Sequence, residues 1–122
     1  MNFKLVTKES EMYNLSEGSS LIGHINLSPT KLIKTFGKPF ESDEYKVSGE
    51  YTFLNDNGVI TLYDWKMTTL YDQYNDYTPE ELWVQKRPIT FNIGGKVTTK
   101  NDFFDIEDLF KNFKKYLEYN LL

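Results

Sequence analysis

The stretch that decides the fold is YKVSGEYTFLNDNGVITLYDWKM, residues 45–67. Two runs of alternating apolar and polar residues flank the turn-forming sequence Asn55-Asp56-Asn57-Gly58, and this arrangement is typical of a β-hairpin. In a strand, every second side chain lies on the same face, so each run can bury one face against a core. The stretch therefore predicts a long antiparallel hairpin at the centre of the fold.

The length of the hairpin loop decides which side chains share a face. A three-residue loop at 56–58, with Gly58 as a left-handed bulge, places odd-numbered residues opposite one another, so that Gly49 faces Trp65. A two-residue turn at 57–58 would instead scatter the aromatic side chains over both faces. The apolar pattern therefore favours the bulged loop. The face that this register assembles comprises Val47, Tyr51, Phe53, Val59, Tyr63, Trp65 and Met67.

Two helices and further strands complete the predicted fold. A helix at 29–36 has Ser28 at its N-cap and Gly37 after its last turn, and a second helix at 102–119 carries apolar residues at intervals of three and four. Alternating segments at 3–7, 21–27 and 89–93 are the other strands. We expect a single α+β domain, with an antiparallel sheet of four to five strands around the 45–67 hairpin. The 29–36 and 102–119 helices lie on one face of that sheet.

Composition excludes several classes of function. The 122 residues include no cysteine, which removes disulfides, thiolate metal ligands and cysteine nucleophiles. A formal net charge of −4, with Arg87 as the single arginine, argues against general binding to nucleic-acid backbones. No apolar run reaches the roughly 18 residues of a membrane span, and the first ten residues lack the apolar segment of a signal peptide. We therefore expect a cytoplasmic protein that does not bind membranes.

The sequence contains few residues in the arrangements that catalysis or metal binding requires. His24 is the single histidine and has no recognisable nucleophile or acid partner near it in the sequence. The acids of the 71–77 segment lack the spacing of a calcium loop. We predict no catalytic residue, no metal site and no cofactor. The alternative is a small enzyme that uses Asp64, His24 or Glu50 as acid–base groups.

Two segments favour binding instead. Tyr71, Tyr74 and Tyr77 lie in a polar segment, and tyrosines of this kind are typical of exposed recognition loops. The sequence Gly94-Gly95-Lys96 follows the predicted 89–93 strand. A turn there could cradle an anion through backbone N–H groups, although the full phosphate-loop spacing is missing. A plain turn and a phosphate site both remain open.

Four short motifs carry a resemblance to known proteins. They are Phe36-Gly37-Lys38-Pro39, Tyr45-Lys46-Val47-Ser48-Gly49-Glu50-Tyr51, Tyr63-Asp64-Trp65-Lys66 and Ile93-Gly94-Gly95-Lys96. In this order, across residues 32–96, they resemble a set of small uncharacterised accessory proteins encoded by bacteriophages and large DNA viruses. The resemblance implies a viral accessory protein that acts in the cytoplasm of the host cell. Proteins of this kind often antagonise host defence, by occupying a defence protein or by sequestering its nucleotide signal.

The leading hypothesis is a non-enzymatic host-defence antagonist that binds a protein partner through the 71–77 segment. The alternative is a sponge for a small nucleotide signal, in which a base stacks on Tyr63, Trp65 or Trp83 while Lys66, Arg87 and Lys96 hold phosphates. The candidate binding residues are Tyr63, Trp65, Lys66, Tyr71, Tyr74, Tyr77, Arg87, Asn92, Gly94, Gly95 and Lys96.

One geometric problem stands against the sponge. Consecutive residues of a strand point to opposite faces, so Trp65 and Lys66 would not line one pocket unless Trp65 lay near a strand end or a bulge. A homodimer with Arg87 or Lys96 near its two-fold axis would relieve the conflict by completing the site across the interface. We therefore predict a homodimer.

Overall fold

The protein, described at residues 2–42, 45–101 and 103–121 of a computed structural model, forms one antiparallel sheet with helices packed against it. The strands are β1 (Lys4–Leu5), β2 (Ser20–Leu27), β3 (Glu50–Asn55), β4 (Gly58–Tyr63) and β5 (Ile89–Val97). The helices are α1 (Glu9–Ser16), α2 (Pro29–Phe36), α3 (Pro79–Leu82) and α4 (Ile106–Asn120). The strand order is β1-β3-β4-β5-β2, with the β3–β4 hairpin at its centre. The predicted α+β fold is confirmed.

The predicted register of the hairpin is wrong. Asn55 pairs with Gly58, so the loop contains only Asp56 and Asn57, and odd-numbered residues lie opposite even-numbered ones. Gly58 does not have a positive φ. The side chain of Asn55 stabilises the shorter loop, because its Oδ1 accepts hydrogen bonds from the N–H groups of Asn57 (2.9 Å) and Gly58 (3.1 Å).

The shorter loop divides the predicted apolar face between two sides of the sheet. Tyr51 and Phe53 pair with Leu62 and Ile60, and all four side chains lie in the main core. Tyr63 alternates with Leu62 and so lies on the opposite face. A β-carbon at Gly58 would lie 2.5 Å from the carbonyl oxygen of Lys96 and 2.7 Å from a methyl of Leu109. This glycine is thus required by lack of space and not by backbone conformation.

Helices α2 and α4 pack on the same face of the sheet, as predicted. Phe36 of α2 and Phe113 of α4 both contact Phe53 of β3, with ring centroids 5.1 and 5.0 Å apart. Helix α2 has the predicted bounds, and the Ser28 hydroxyl accepts a hydrogen bond from the N–H of Lys31. The predicted start of the last helix at 102 is wrong. Asp102 lies outside the described residues, and α4 begins at Ile106 because Asp105 and Asp108 form a capping box.

The opposite face of the sheet is partly covered by α1. The polar stretch between residues 8 and 20, in which Met12 and Leu15 form only a weak apolar pattern, contains this helix of eight residues. Met12 of this helix is 1% exposed, and α1 contacts β4. The uncovered part of this face contains Tyr63. Among the helices of the described residues, none is long and apolar enough to cross a bilayer.

Candidate functional site

A buried aspartate, Asp64, lies immediately after the end of β4. Asp64 follows the last residue of the strand and is 0% exposed. Its Oδ1 accepts hydrogen bonds from the N–H groups of Ser48 (2.8 Å) and Gly49 (2.9 Å), and its Oδ2 accepts one from the Ser48 hydroxyl (2.8 Å). Burial raises the pKa of Asp64, and the hydrogen bonds oppose that rise. Asp64 therefore ties the segment before β3 to the end of β4, and its oxygens are occupied by these partners.

The tryptophan that covers Gly49 is Trp83, not the predicted Trp65. A β-carbon at Gly49 would lie 2.6 Å from Cζ2 of Trp83, whose Nε1 donates a hydrogen bond of 3.0 Å to the Ser48 hydroxyl. Trp83 is 8% exposed, which leaves little of its ring for a ligand. This burial disfavours the predicted stacking of a base on Trp83. Trp65, at 38% exposed, is available at the surface.

The backbone conformation of Lys66 allows its side chain to lie beside that of Trp65, although consecutive residues of a strand would point to opposite faces. Its φ is 58°, in the left-handed region that is costly for a residue with a β-carbon. The Lys66 N–H donates to the Lys46 carbonyl (2.7 Å), and the Asn75 amide donates to the Lys66 carbonyl (3.0 Å). The Lys66 ammonium lies 5.6 Å from the centroid of the Trp65 ring. The expectation of opposite faces is wrong because β4 has already ended at Tyr63.

Four exposed side chains and one half-buried lysine, Lys46, form an array that we call the aromatic–lysine surface: Tyr45, Lys46, Trp65, Lys66 and Tyr71. The Lys46 ammonium lies 5.6 Å from the ring centroids of both Tyr45 and Trp65. The Lys66 ammonium lies 5.2 Å from the Tyr71 centroid, and the Tyr45 and Tyr71 rings stack at 5.7 Å with an interplanar angle of 6°. Each cation–π contact contributes about 0.5–1 kcal/mol at exposed positions. The array therefore holds two ammonium groups beside one indole.

A cleft of about 460 Å³ adjoins this surface. Trp65 and Tyr63 line it, with their ring centroids 6.1 Å apart, and Tyr13 of α1 also contributes a ring. The polar residues of the lining are Glu50, Thr61, Ser16, Ser19, Ser20 and Ser42. A cleft that combines rings with a few polar groups can bind a small organic ligand. Trp65 belongs to both the cleft and the aromatic–lysine surface.

The predicted turn at Gly94-Gly95-Lys96 is wrong, because β5 continues to Val97. Gly94 and Gly95 pair with β4 on one side and with β2 on the other. Their backbone is thus enclosed between two hydrogen-bonded strands and forms no anion-binding turn. A β-carbon at Gly94 would lie 2.5 Å from the Thr61 hydroxyl and 3.5 Å from the Tyr63 ring, so Gly94 forms part of the floor of the cleft.

The other residues that were predicted to bind lie away from the aromatic–lysine surface. The Lys96 ammonium donates to the carbonyl of Glu17, and Arg87 donates to the hydroxyl of Tyr77 (3.2 Å), which raises the pKa of Arg87. Asn92 is buried in β5 opposite Tyr63. Tyr74 is 84% exposed, and no contact of its ring with the aromatic–lysine surface is observed among the described residues.

The structure thus brings together Trp65, Lys66 and Tyr71, with Tyr63 and Gly94 in the adjoining cleft. Sequence reasoning missed Tyr45 and Lys46. The signal that could have found them is a repeated pair: an aromatic residue followed by lysine occurs near both ends of the hairpin stretch, as Tyr45-Lys46 and as Trp65-Lys66.

The three candidate acid–base groups occupy different environments. His24 is exposed on β2, opposite Asn92, whereas Glu50 lines the cleft and Asp64 is buried. Across residues 2–42, 45–101 and 103–121, no group of three histidine, aspartate or glutamate side chains could hold a metal ion.

Comparison of the chain with protein-family models and with curated proteins finds no match to either.

Proposed function

We propose that this chain is a non-enzymatic binding protein that engages a protein partner through the aromatic–lysine surface. The observation that carries the proposal is the array itself, in which three exposed rings are ordered around two ammonium groups. Tyrosine and tryptophan are enriched at the centres of protein interfaces, because they offer a large contact area with few rotatable bonds. The resemblance to viral accessory proteins supports a host-defence protein in the cytoplasm of the host cell as that partner.

The chemistry of the array favours an acidic segment as the partner's contact. A carboxylate that approaches Trp65 would meet the ammonium groups of both Lys46 and Lys66, each 5.6 Å from the indole centroid. The stacked Tyr45 and Tyr71 rings would contact apolar side chains around that carboxylate. Charge complementarity of this kind contributes mainly to specificity and to the association rate.

Affinity purification from phage-infected bacterial cells, followed by quantitative mass spectrometry, tests the proposal. The wild type is compared with Trp65→Ala and with the control Tyr119→Ala, which removes another exposed ring (83% exposed) from α4. We expect a host protein that is recovered with the wild type and the control but lost with Trp65→Ala. Equal recovery with all three proteins would contradict a role for the aromatic–lysine surface.

The sponge for a small nucleotide signal is the second candidate function. The observation that favours it is that Trp65 lines a cleft and also contacts two lysines. Native mass spectrometry of the same purified samples would detect a bound small molecule directly. A site made by Trp65 and Lys66 of one chain needs no second subunit, so the homodimer stays a separate prediction that multi-angle light scattering would test.

A further inference from the structure

Trp65 belongs both to the cleft and to the aromatic–lysine surface, which offer two different kinds of contact. In the cleft, Trp65 is joined by Tyr63, Tyr13 and several serines. The ammonium groups of Lys46 and Lys66 each lie 5.6 Å from the centroid of the same indole. A ligand bound beside Trp65 would therefore place a ring system in the cleft and a negatively charged group at the lysines.

The polar groups of the cleft narrow the chemical class of that ring system. Ser16, Ser19 and Thr61 belong to the lining, and their hydroxyls are of a kind that can donate or accept hydrogen bonds. A purely apolar ligand would not offer such groups a hydrogen-bond partner. A nucleobase with its sugar has a flat aromatic ring for the tyrosine and tryptophan side chains, and donors and acceptors along its edges for the hydroxyls.

The lysines define the charged end of the ligand. Lysine carries its ammonium on a flexible stem and binds phosphate as a point charge, so both ammonium groups can turn from the indole towards one anion. A long nucleic acid does not fit this site, because two lysines supply little backbone neutralisation and the chain has a formal net charge of −4.

We propose that the cleft beside Trp65 binds a small nucleoside phosphate, with the base between Tyr63 and the serine hydroxyls and the phosphate at Lys46 and Lys66. The site deepens the sponge alternative and rests on it, but it does not depend on the existence of a protein partner. It also replaces two of the predicted phosphate ligands, Arg87 and Lys96, with Lys46, which the sequence reading did not include.

Isothermal titration calorimetry with AMP, GMP, CMP and UMP tests the site, with the matching nucleosides and inorganic phosphate as controls. We expect at least one nucleotide to bind about tenfold more tightly than its nucleoside and than phosphate, because charged hydrogen bonds add to the contacts of the base. Lys46→Gln and Lys66→Gln should each weaken that binding about tenfold, whereas Lys34→Gln on α2 should leave it unchanged.

A second variant separates this site from the protein-binding proposal. Leu21 lines the cleft and is 54% exposed, so Leu21→Glu places a negative charge there without disturbing the core. Leu21→Glu should abolish nucleotide binding and leave partner recovery unchanged. Nucleotide binding that persists in Leu21→Glu would overturn the proposal, as would phosphate alone binding as tightly as the nucleotides or no nucleotide binding at millimolar concentration. Tighter binding of a short single-stranded oligonucleotide than of any mononucleotide would also overturn it.

Discussion

Replacing Lys66 by glycine and by alanine provides a direct test of the backbone conformation that brings Lys66 beside Trp65. Lys66 has a φ of 58° although it carries a β-carbon. Both substitutions remove the ammonium and its contacts with Trp65 and Tyr71, so the difference in stability between them reports the backbone alone. Alanine in the left-handed region costs roughly 1–2 kcal/mol. Glycine avoids that cost but loses about 0.5–1 kcal/mol through the greater entropy of its unfolded chain.

The balance of these two effects predicts that Lys66→Gly is more stable than Lys66→Ala by about 0.5–1 kcal/mol. The same pair of substitutions at Lys111, which is exposed within α4, should show the opposite order, because glycine in a helix is about 1 kcal/mol less favourable than alanine. Urea unfolding with linear extrapolation measures both differences. A Lys66→Ala protein that equals or exceeds Lys66→Gly in stability would refute the left-handed assignment. Lys66→Gly should also lose partner binding while it keeps the fold.

Three further predictions concern the packing around the hairpin. Gly58→Ala should lower the free energy of unfolding by about 1–3 kcal/mol, because its β-carbon would overlap a carbonyl oxygen of β5 and the Leu109 side chain; an unchanged urea midpoint would show that the space exists. Trp83→Ala should cost about 3–5 kcal/mol, whereas Trp65→Ala should cost under about 1 kcal/mol, and equal losses by urea unfolding would mean that the buried and exposed rings are wrongly assigned. Burial raises the pKa of Asp64, so the Asp64 carboxyl group holds a proton more tightly in the folded protein than in the unfolded chain. The protonated group therefore adds to the free energy of unfolding at low pH. This added stability is lost as the pH rises from about 4, the pKa of an aspartate in the unfolded chain, through the higher pKa of Asp64 in the folded protein. The stability of the wild type relative to Asp64→Asn should therefore fall over that interval in urea unfolding at a series of pH values, and a constant difference would contradict the raised pKa.

The sequence by itself determined the elements whose signals lie within a few residues of one another. Helix α2 runs from Pro29 to Phe36 as predicted, because the Ser28 cap and the terminating Gly37 act on adjacent backbone groups. The four residues Thr78-Pro79-Glu80-Glu81 encode a capping box, and it is formed, with Thr78 and Glu81 each accepting the other's N–H. Alternation of apolar residues predicted the central hairpin and the antiparallel sheet.

Register required more than alternation. The turn sequence was consistent with a three-residue loop at 56–58 or a two-residue turn at 57–58. The protein instead has a two-residue loop at 56–57, where the side chain of Asn55 accepts two backbone hydrogen bonds. A change of one residue in the loop moved Tyr63 to the face opposite Tyr51. Sequence reasoning preferred the arrangement that gathered the most aromatic side chains on one face. The packing of α1 against the other face of the sheet has no signal in the hairpin sequence itself.

The candidate site was decided by tertiary structure. Trp65, Lys66 and Tyr71 were each predicted to bind, but their meeting depends on the left-handed conformation of Lys66. That conformation is held by the Lys46 carbonyl and the Asn75 amide, from segments 20 residues before and nine residues after Lys66 in the numbering. Which tryptophan covers Gly49 was decided in the same way, by the position of α3 and the buried hydrogen bond from Trp83 to Ser48. Such contacts join residues that are far apart in the sequence, and no local sequence pattern predicts them. Their partners come together only when the intervening chain has folded.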